Sequence, residues 1–326
     1  MQCKVCLSKV ENIKQKEYHS ICLKRLFGTS HVNPVLDFDK NQFEVELLQK
    51  FSKKMSISGL QHKLSVRVEK TKITPTDIEG THILKPASQK FPGICENEHV
   101  SMKIAALLGI ETAECGLISF KNAEHTYITK RFDREGENKI AQEDMTQILE
   151  KNSNKNGDQY KYKESYERVA KTILATTGKL SVVYRFYERL VFNYLIANGD
   201  YHLKNISLRF MEAGGKYREL TPLYDSVNTR IHIPNESSDL ALEDLFSDGS
   251  FTEKYDQYGY YTAFDFMEFA KRIGVSEKAA KLFFEKIKNL KTYIINLINR
   301  SYLTPVLKKK YQDELLGRYA RLFERG

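Results

Sequence analysis

The sequence predicts an α+β fold with two lobes, a small mixed N-terminal lobe and a helical C-terminal lobe. Residues 51–132 contain short alternating apolar segments separated by turn residues, a pattern typical of strands. From Gln142 onward the apolar residues recur with helical periodicity instead. The chain has 326 residues, 41% of them hydrophobic, which is long enough for one large core or two lobes.

The N-terminal lobe is predicted to be a sheet accompanied by one helix. Strands are expected at residues 64–68, 72–75 and 81–85, and a strand pair at 116–120 and 126–132. The helix is expected over residues 98–108, because apolar side chains recur there at i, i+4, i+7 and i+8. Gly109 is its predicted C-cap.

The C-terminal lobe is predicted to deliver an acidic loop at the end of a rigid helix. Ser181 is the expected N-cap of that helix, which ends before Asn198 and Gly199 and so places Asp200 on a loop. A hairpin around residues 214–215 would return the chain to Asp225. Two long helices, starting after Ser276 and at residues 304–305, close the chain.

The loop itself has the spacing of a phosphoryl-transfer site. Asp200 and Asn205 lie five residues apart with His202 and Lys204 between them, and protein kinases use an Asp and an Asn at this interval. Asp200 would orient the substrate hydroxyl and accept its proton, Lys204 would neutralise the transferring phosphoryl group, and Asn205 would bind metal. His202 would hold the loop by hydrogen bonding. The alternative is a surface turn, since Asn-Gly-Asp is rich in turn formers.

Two residues elsewhere complete this hypothesis. Asp225 lies twenty residues after Asn205 and would be a second Mg²⁺ ligand, although an Asp that caps a turn is the plainer alternative. Lys85 ends an apolar strand and would contact nucleotide phosphates, with Glu98 as its acidic partner, unless it simply points to water. The order of these groups predicts a protein-kinase-like fold in which they meet around one triphosphate.

Small residues before the first strand suit a phosphate-binding loop. Backbone N–H groups near Gly59 could approach phosphates, and Lys63 could add a charge. Phosphorylation of Ser56 or Ser58 would place negative charge where the nucleotide phosphates should sit. Farther on, backbone groups of residues 129–132 could hydrogen-bond to an adenine ring. Phe132 would pack either against the base or in the protein core.

Four potential metal ligands lie in the first 22 residues. Cys3 and Cys6 are followed after twelve residues by His19 and Cys22, and two such short-spaced pairs can surround a tetrahedral Zn²⁺. With four ligands no position is left open for catalysis, so the predicted zinc is structural. The alternative is an accidental cluster of reduced thiols. The predicted domains are residues 1–50, 51–132 and 133–326.

Net charge and hydropathy bear on the binding partners and the cellular location of the chain. The net charge of +9 could favour nucleic acid or an acidic protein, or could reflect solvated Lys and Arg side chains. No run of 18 apolar residues occurs and the N-terminus lacks an apolar signal core, so a cytoplasmic protein without membrane contact is expected.

Seven collinear motifs resemble those of the HipA-type serine/threonine kinase toxins. They are SISGLQHK at 56–63, ILKP at 83–86, ENE at 96–98, KRFDR at 130–134, QED at 142–144, GDYHLKN at 199–205 and YD at 224–225. The resemblance runs from about Met55 through the C-terminal helices. It is closest to the short HipT-type toxins, because there is no room for the extra N-terminal subdomain of HipA.

The resemblance implies a HipA-like fold, ATP and Mg²⁺ as cofactors, and phosphorylation of an aminoacyl-tRNA synthetase in a type II toxin–antitoxin system. It also implies inhibitory autophosphorylation at Ser56 or Ser58. The implied partners are a cognate antitoxin, either a small protein that replaces the missing subdomain or a DNA-binding HipB-type protein, with DNA reached only through that complex. The cysteine–histidine segment and His62 depart from the family pattern.

The resemblance also assigns roles residue by residue. Asp200, Lys204 and His202 are the implied catalytic residues, and Asn205 and Asp225 the Mg²⁺ ligands. The implied ATP site comprises Ser58, Gly59, Leu60, Gln61, His62, Lys63, Lys85, Lys130, Arg131, Phe132, Asp200, Tyr201, His202, Tyr224 and Asp225. Two other classes of function stay open at this point, a small-molecule phosphotransferase and a zinc-bearing module that binds nucleic acid.

Overall fold

The computed structural model describes residues 1–11, 17–43, 63–76, 78–135, 138–210, 218–234 and 238–324. The chain divides into two compact units. Unit 1 contains Met1–Lys103, Ala113–Asn138 and Asn296–Lys308, and unit 2 contains Ile104–Thr112, Lys139–Ile295 and Lys309–Gly326.

Unit 1 is built on a five-stranded antiparallel sheet. Its strands are β1 (Leu64–Glu69), β2 (Lys72–Pro75), β3 (His82–Pro86), β4 (Cys115–Ser119) and β5 (His125–Lys130), in the order β2-β1-β3-β5-β4. Central strand β3 pairs with β1 and with β5, where Lys85 lies opposite Tyr127. All five strands lie within two residues of their predicted positions because apolar alternation on a half-buried sheet sets both register and extent.

Residues 1–11 and 17–43 pack against this sheet. They include helix α1 (Ser20–Phe27) and the one-turn helix α2 (Lys40–Gln42). Their apolar side chains share one core with the sheet, formed by Cys3, Val5, Tyr18, Cys22, Leu23, Leu26, Phe27, Val32, Leu36, Phe43, Leu64, Val66, Ile73, Leu84, Ile118, Phe120 and Ile128. The predicted boundary at residue 50 lies outside the described residues, so the three-domain division stays a prediction.

The predicted helix of the N-terminal lobe is α3 (Ile94–Leu107), which begins four residues earlier than expected. Its first turn is formed by Ile94 and Cys95, before the periodic apolar stripe begins. The amide of Asn97 bonds to the carbonyl of Gly93, so the turn starts directly after a glycine with φ +81°. Gly109, with φ +76°, ends this segment as predicted.

A short ribbon and a small sheet follow. Strands β6 (Arg134–Glu135) and β7 (Asn138–Lys139) form the ribbon. In unit 2, β8 (Gln142–Asp144), β9 (Ser207–Phe210) and β10 (Arg218–Leu220) form a three-stranded sheet of order β10-β9-β8. The β9–β10 pair is the predicted hairpin, and its turn lies outside the described residues.

In the described part of unit 2, six α-helices precede the C-terminal pair, and one of them, α7, leads to Asp200. They are α4 (Met145–Ile148), α5 (Ser153–Asn156), α6 (Tyr166–Thr177), α7 (Leu180–Leu195), α8 (Glu253–Tyr258) and α9 (Ala263–Arg272). The prediction of Ser181 as N-cap was wrong, because α7 starts at Leu180 with Lys179 in the cap position. Eleven of the sixteen residues of α7 are buried, which makes it a rigid support.

Two long helices, α10 (Glu277–Arg300) and α11 (Pro305–Phe323), close the chain as predicted. Their predicted stripes face the protein interior, since Phe283, Ile287, Tyr311 and Leu315 are almost fully buried. Within the described ranges, no helix combines the length and the apolar character that a membrane crossing requires.

Gly116 in β4 permits the N-terminal residues to approach the sheet closely. A Cβ atom there would lie 3.1 Å from Leu26 Cδ2 and Val5 Cγ2 and 3.2 Å from the carbonyl oxygen of Lys4. We therefore expect Gly116→Ala to lower the free energy of unfolding by about 1–3 kcal/mol through overpacking. Urea denaturation would measure it.

Gly317→Ala is the matched control. This residue is exposed within α11 and nothing lies within 4 Å of a Cβ built on it. Alanine there should stabilise the chain by roughly 1 kcal/mol through helix propensity. The close approach at Gly116 would be contradicted if both substitutions changed stability in the same direction by the same amount.

Candidate active site

The Asp200 loop begins where helix α7 ends. Ala197 adopts a left-handed conformation with φ +54°, which turns the chain out of the helix. The amide of Gly199 donates to Thr229 Oγ1 at 2.8 Å, and the amide of Asp200 donates to Asn198 Oδ1 at 3.1 Å. Backbone donors at the start of the loop are therefore satisfied by side chains, which fixes the path of the loop.

The carboxylate of Asp200 is held by residues outside its own motif. The hydroxyl of Tyr162 donates to Asp200 Oδ1 at 2.7 Å, and Lys161 Nζ lies 4.0 Å from the same oxygen. The side chain of Asp200 is still 31% exposed. A carboxylate that is fixed at one oxygen and accessible to solvent is suited to receive a proton from a substrate hydroxyl.

Sequence reasoning missed both Lys161 and Tyr162. They lie 38 to 39 residues before Asp200 in a stretch without regular periodicity. The alternation Tyr-Lys-Tyr-Lys at 160–163 was the available signal, because aromatic and cationic residues in turn are unusual for a solvated loop. The amide of Leu203 donates to the Lys161 carbonyl at 3.1 Å, so the two segments are also joined through their backbones.

His202 is neutral and braces the loop. Burial lowers the pKa of His202 below its ordinary 6.5, and the Lys161 charge adds to this effect, while Asp200 and Asp225 oppose it. Lys161 Nζ donates to His202 Nε2 at 2.9 Å, which requires that nitrogen to be unprotonated. The ring also packs edge-on against Tyr162 at 5.2 Å. His202 therefore links the loop to the same two residues that hold Asp200.

The amide of Asn205 is oriented by the loop backbone. Its Nδ2 donates to the carbonyl oxygen of Asp200 at 2.8 Å, so Oδ1 is directed away from that bond and can serve a cation. Lys204 lies partly buried with its ammonium 5.1 Å from the ring centroid of Tyr160. Tyr201 is 1% exposed and stacks on Tyr166, so its ring lies in the core and its predicted ATP contact stays a prediction.

The second acidic motif is joined to the loop by Tyr224. Its hydroxyl donates to the Lys204 carbonyl at 2.9 Å and accepts from Ser207 Oγ at 2.7 Å. Asp225 follows with φ +58°, a left-handed conformation that Asp tolerates better than most residues. The segment that carries Asp225 is thus bonded to the Asp200 loop within unit 2, and the metal-binding roles of Asn205 and Asp225 stay predictions.

A buried asparagine in α7 connects the two motifs a second time. Asn193 Oδ1 accepts from Asn198 Nδ2 at 2.7 Å and from Ser226 Oγ at 3.1 Å. Asn193 is 1% exposed, and its own Nδ2 donates to the Arg189 carbonyl at 2.8 Å. Asn198 precedes Asp200 by two residues and Ser226 follows Asp225 directly, so one side chain links the segments that carry the two carboxylates.

In unit 1 the predicted partner of Lys85 is present. Lys85 Nζ lies 2.6 Å from Glu98 Oε1, and the two side chains are only 5% and 2% exposed. The ammonium also lies 5.3 Å from the ring centroid of Tyr127 on β5. A buried ion pair of this kind holds its two elements together, because removal of either partner leaves an uncompensated charge.

The predicted adenine-binding segment follows β5. Lys130 is exposed and Phe132 is partly buried, while Arg131 bonds to Asp133 at 2.8 and 2.6 Å. Burial would raise the pKa of Asp133, but the hydrogen bonds from Arg131 and the charges of Arg131 and Arg134 outweigh it and lower that pKa. Lys63 lies partly buried directly before β1. Ser56, Ser58, Gly59, Leu60, Gln61 and His62 lie outside the described residues.

The four predicted zinc ligands lie together. Ligand atoms of Cys3, Cys6, His19 and Cys22 are all within 4.8 Å of one another. His19 Nδ1 lies 3.4 Å from Cys6 Sγ and 3.8 Å from Cys22 Sγ, near the separation of about 3.5–3.8 Å that tetrahedral zinc bond lengths give. His19 Nε2 lies 3.1 Å from the Lys9 carbonyl, which leaves Nδ1 as the metal-binding nitrogen. The residues fit a structural Zn²⁺.

An antiparallel sheet with a buried Lys–Glu pair, and a helical unit with an Asp–Asn loop and a second Asp, define a protein-kinase-like fold. Residues 55–293 match the family model described as the HipA-like C-terminal domain. A protein of Haemophilus influenzae that bears a kinase name is 30% identical over 290 residues, which cover 84% of this chain and 83% of that protein. The chain belongs to the HipA-like family, so the predicted family is confirmed.

Two further comparisons concern Shewanella oneidensis. Its serine/threonine-protein kinase toxin HipA is 26% identical over 216 residues, which cover 60% of this chain and 48% of that toxin. The structure of its HipA in complex with HipB and operator DNA matches with a TM-score of 0.62 at 21% identity, covering 82% of this chain and 65% of that one. The chain thus spans about half the length of that toxin, and the structural match confirms the predicted fold class.

The neutral state of His202 can be tested directly by an NMR titration of the full chain. The pKa of His202 should lie below 6.5, and Lys161→Met should raise it because the like charge is removed. Asp200→Asn should lower it further. An exposed change, Lys155→Met, should leave it unaltered. If neither Lys161→Met nor Asp200→Asn changed the pKa of His202, the contacts described above would be contradicted.

Proposed function

We propose that this chain is an ATP-dependent serine/threonine protein kinase that acts in the cytoplasm as the toxin of a type II toxin–antitoxin system. One observation carries this proposal: the Asp200 carboxylate is held by Tyr162 in a loop that also orients Asn205 and is bonded to the Asp225 segment. Phosphoryl transfer needs a positioned nucleophile and neutralisation of the phosphate charge. Asp200 can position the nucleophile, and Asn205 and Asp225 can hold a cation that neutralises the charge.

In the proposed reaction, Asp200 accepts the proton of a substrate hydroxyl as that oxygen attacks the γ-phosphorus of ATP. The bond from the γ-phosphorus to the β–γ bridging oxygen breaks, and ADP leaves. Tyr162 keeps the receiving carboxylate in one orientation. Asn205 and Asp225 would hold Mg²⁺, which when bound neutralises the phosphate oxygens. Lys204 places a positive charge beside the same loop. His202 stays neutral and supports the loop.

Lys85 is the proposed contact to the nucleotide phosphates, and Glu98 keeps its ammonium in place. Residues 58–63 are proposed to cover the phosphates, and Lys130, Arg131 and Phe132 to flank the adenine. Tyr201 and Tyr224 complete the proposed ATP site. Support for these assignments comes from the buried Lys85–Glu98 pair and from the order of the motifs along the chain.

The proposed substrate is a protein hydroxyl, with an aminoacyl-tRNA synthetase as the family resemblance implies. Autophosphorylation at Ser56 or Ser58 is proposed to switch the kinase off, because a phosphate in the nucleotide-binding loop would repel ATP. The relative named as a serine/threonine-protein kinase toxin supports a protein hydroxyl as the acceptor.

The proposed partner is a cognate antitoxin. The Shewanella oneidensis relative is seen with HipB and operator DNA, which supports a DNA-binding antitoxin for this chain, with DNA reached only through it. We also propose the short HipT-type subclass, in which a separate small protein takes the place of the N-terminal subdomain. Finally, we propose that Cys3, Cys6, His19 and Cys22 hold one structural Zn²⁺.

Asp200→Asn and Asp225→Asn should each abolish phosphorylation of protein by labelled ATP and relieve growth arrest on expression. Each removes a carboxylate with almost no change in shape, so the loss should exceed about 100-fold. An exposed substitution, Asp158→Asn, is the control and should be silent. Full activity in either site variant would refute the assigned roles, and transfer only to small alcohols would indicate a small-molecule phosphotransferase.

Mass spectrometry should find phosphate on Ser56 or Ser58 in the wild-type chain and none in Asp200→Asn. The double variant Ser56→Ala/Ser58→Ala should retain ATP affinity during incubation with ATP, whereas the wild type loses it. Ser153→Ala, an exposed serine in α5, should behave as wild type. Both serines unmodified in active wild-type protein would count against this regulation.

A further inference from the structure

The two elements that carry the Lys85–Glu98 pair are each bonded to the N-terminal segment. On β3, His82 Nε2 lies 2.8 Å from the carbonyl oxygen of Leu26, at the end of α1. On α3, His99 Nε2 lies 3.0 Å from the carbonyl oxygen of Val5. His82 is three residues from Lys85, and His99 directly follows Glu98, so each bond lies next to one half of the ion pair.

Both histidine side chains are buried, so their hydrogen bonds to these carbonyl oxygens are shielded from water. His82 is 2% exposed and His99 is fully buried. A carbonyl oxygen can only accept, so each ring must donate through its Nε2–H. Loss of either donor would leave a carbonyl oxygen without a partner in a dry interior, which is far more costly than loss of an exposed hydrogen bond.

The backbone groups that receive these bonds belong to the cysteine–histidine segment. Val5 lies inside the Cys3–Cys6 turn, and α1, which ends beside Leu26, begins directly after His19 and contains Cys22. The same turn is bonded to the sheet, since the amide of Leu117 donates to the Lys4 carbonyl at 2.8 Å. The turn is therefore bonded to α3 through Val5 and to β4 through Lys4, while β3 is bonded to Leu26 of α1.

Backbone hydrogen bonds from the Cys3 amide to the Ser8 carbonyl and from the Leu7 amide to the Cys3 carbonyl also hold the turn, and Cys3 and Val5 lie in the core shared with the sheet. The turn contains no regular secondary structure apart from the bridge between Gln2 and Lys9, and α1 has only eight residues. A metal or a disulfide often adds a further cross-link to a short segment with so little helix or strand. All five cysteines of this chain are free, so a metal is the available cross-link.

We propose that the Cys3–Cys6–His19–Cys22 cluster is a metal-closed clamp, which with Zn²⁺ bound holds β3 through His82 and α3 through His99 and so keeps Lys85 and Glu98 paired. Its catalytic consequence rests on the proposed kinase function, whereas its structural consequence does not. Removal of the metal should loosen the Cys3–Cys6 turn, release α3 at His99 and expose the Lys85–Glu98 pair to water.

The test compares zinc content, hydrogen exchange and kinase kinetics of the full chain. Wild-type protein should contain one zinc per chain. Cys22→Ser, and wild-type protein treated with a zinc chelator while folded, should lose zinc and exchange the amides of residues 82–86 and 96–100 about tenfold faster. The KM for ATP should rise more than kcat falls, because the phosphate-binding lysine is displaced while the Asp200 loop is intact.

Matched variants separate the clamp from a general loss of stability. Cys115→Ser removes a buried thiol outside the cluster and should keep zinc, protection and KM. His99→Leu should keep zinc yet reproduce the faster exchange near Glu98 and the higher KM. His99→Gln, whose side-chain amide can reach the Val5 carbonyl, should restore both. Lys24→Ala, an exposed change on α1, should have no effect.

Three results would overturn the clamp: wild-type protein without zinc, loss of zinc without faster exchange at residues 82–86 and 96–100, or no rescue by His99→Gln. Metal-dependent protection of these amides in a chain that phosphorylates nothing would support the clamp and refute the kinase instead. The two proposals can therefore fail separately.

Discussion

One buried carboxamide sets the geometry on which the candidate active site depends. Asn193 Oδ1 accepts one hydrogen bond from the start of the Asp200 loop and one from the residue after Asp225. Because Asn193 is itself 1% exposed and lies in the buried part of α7, it cannot shift without disturbing the core of unit 2. The two segments that carry Asp200 and Asp225 are thereby joined through one side chain, the kind of rigid support that a catalytic site needs.

A different constraint acts in unit 1. Two opposite charges are buried there, and each would be strongly unfavourable without the other. The fold accommodates them by placing Lys85 on the central strand and Glu98 in the second turn of α3, with Tyr127 against the ammonium. An arrangement of this kind contributes little net stability, but it favours one relative position of strand and helix over the alternatives.

Local patterns predicted much of this molecule. The strands of unit 1, the helices α7, α10 and α11, and the Lys85–Glu98 pair follow from periodicity and from residue order. The missed features are long-range. Tyr162 reaches Asp200 across 38 residues, and His99 reaches Val5 across 94, and no short spacing encodes such contacts. Periodicity predicts too late a start for α3, because its first turn precedes the apolar stripe. Serine is a common N-cap residue, which is why the sequence favours Ser181 over Lys179 as the cap of α7.

The left-handed backbone at Ala197 and Asp225 has an evolutionary consequence. Each side chain costs roughly 1 kcal/mol relative to glycine in that conformation, so the chain is less stable than it needs to be at these two positions. Under the proposed function, selection for activity would retain an acidic residue at 225 despite that cost. In a lineage where that selection has lapsed, drift should favour glycine there, and a relative with glycine at this position would be recognisable as a pseudoenzyme.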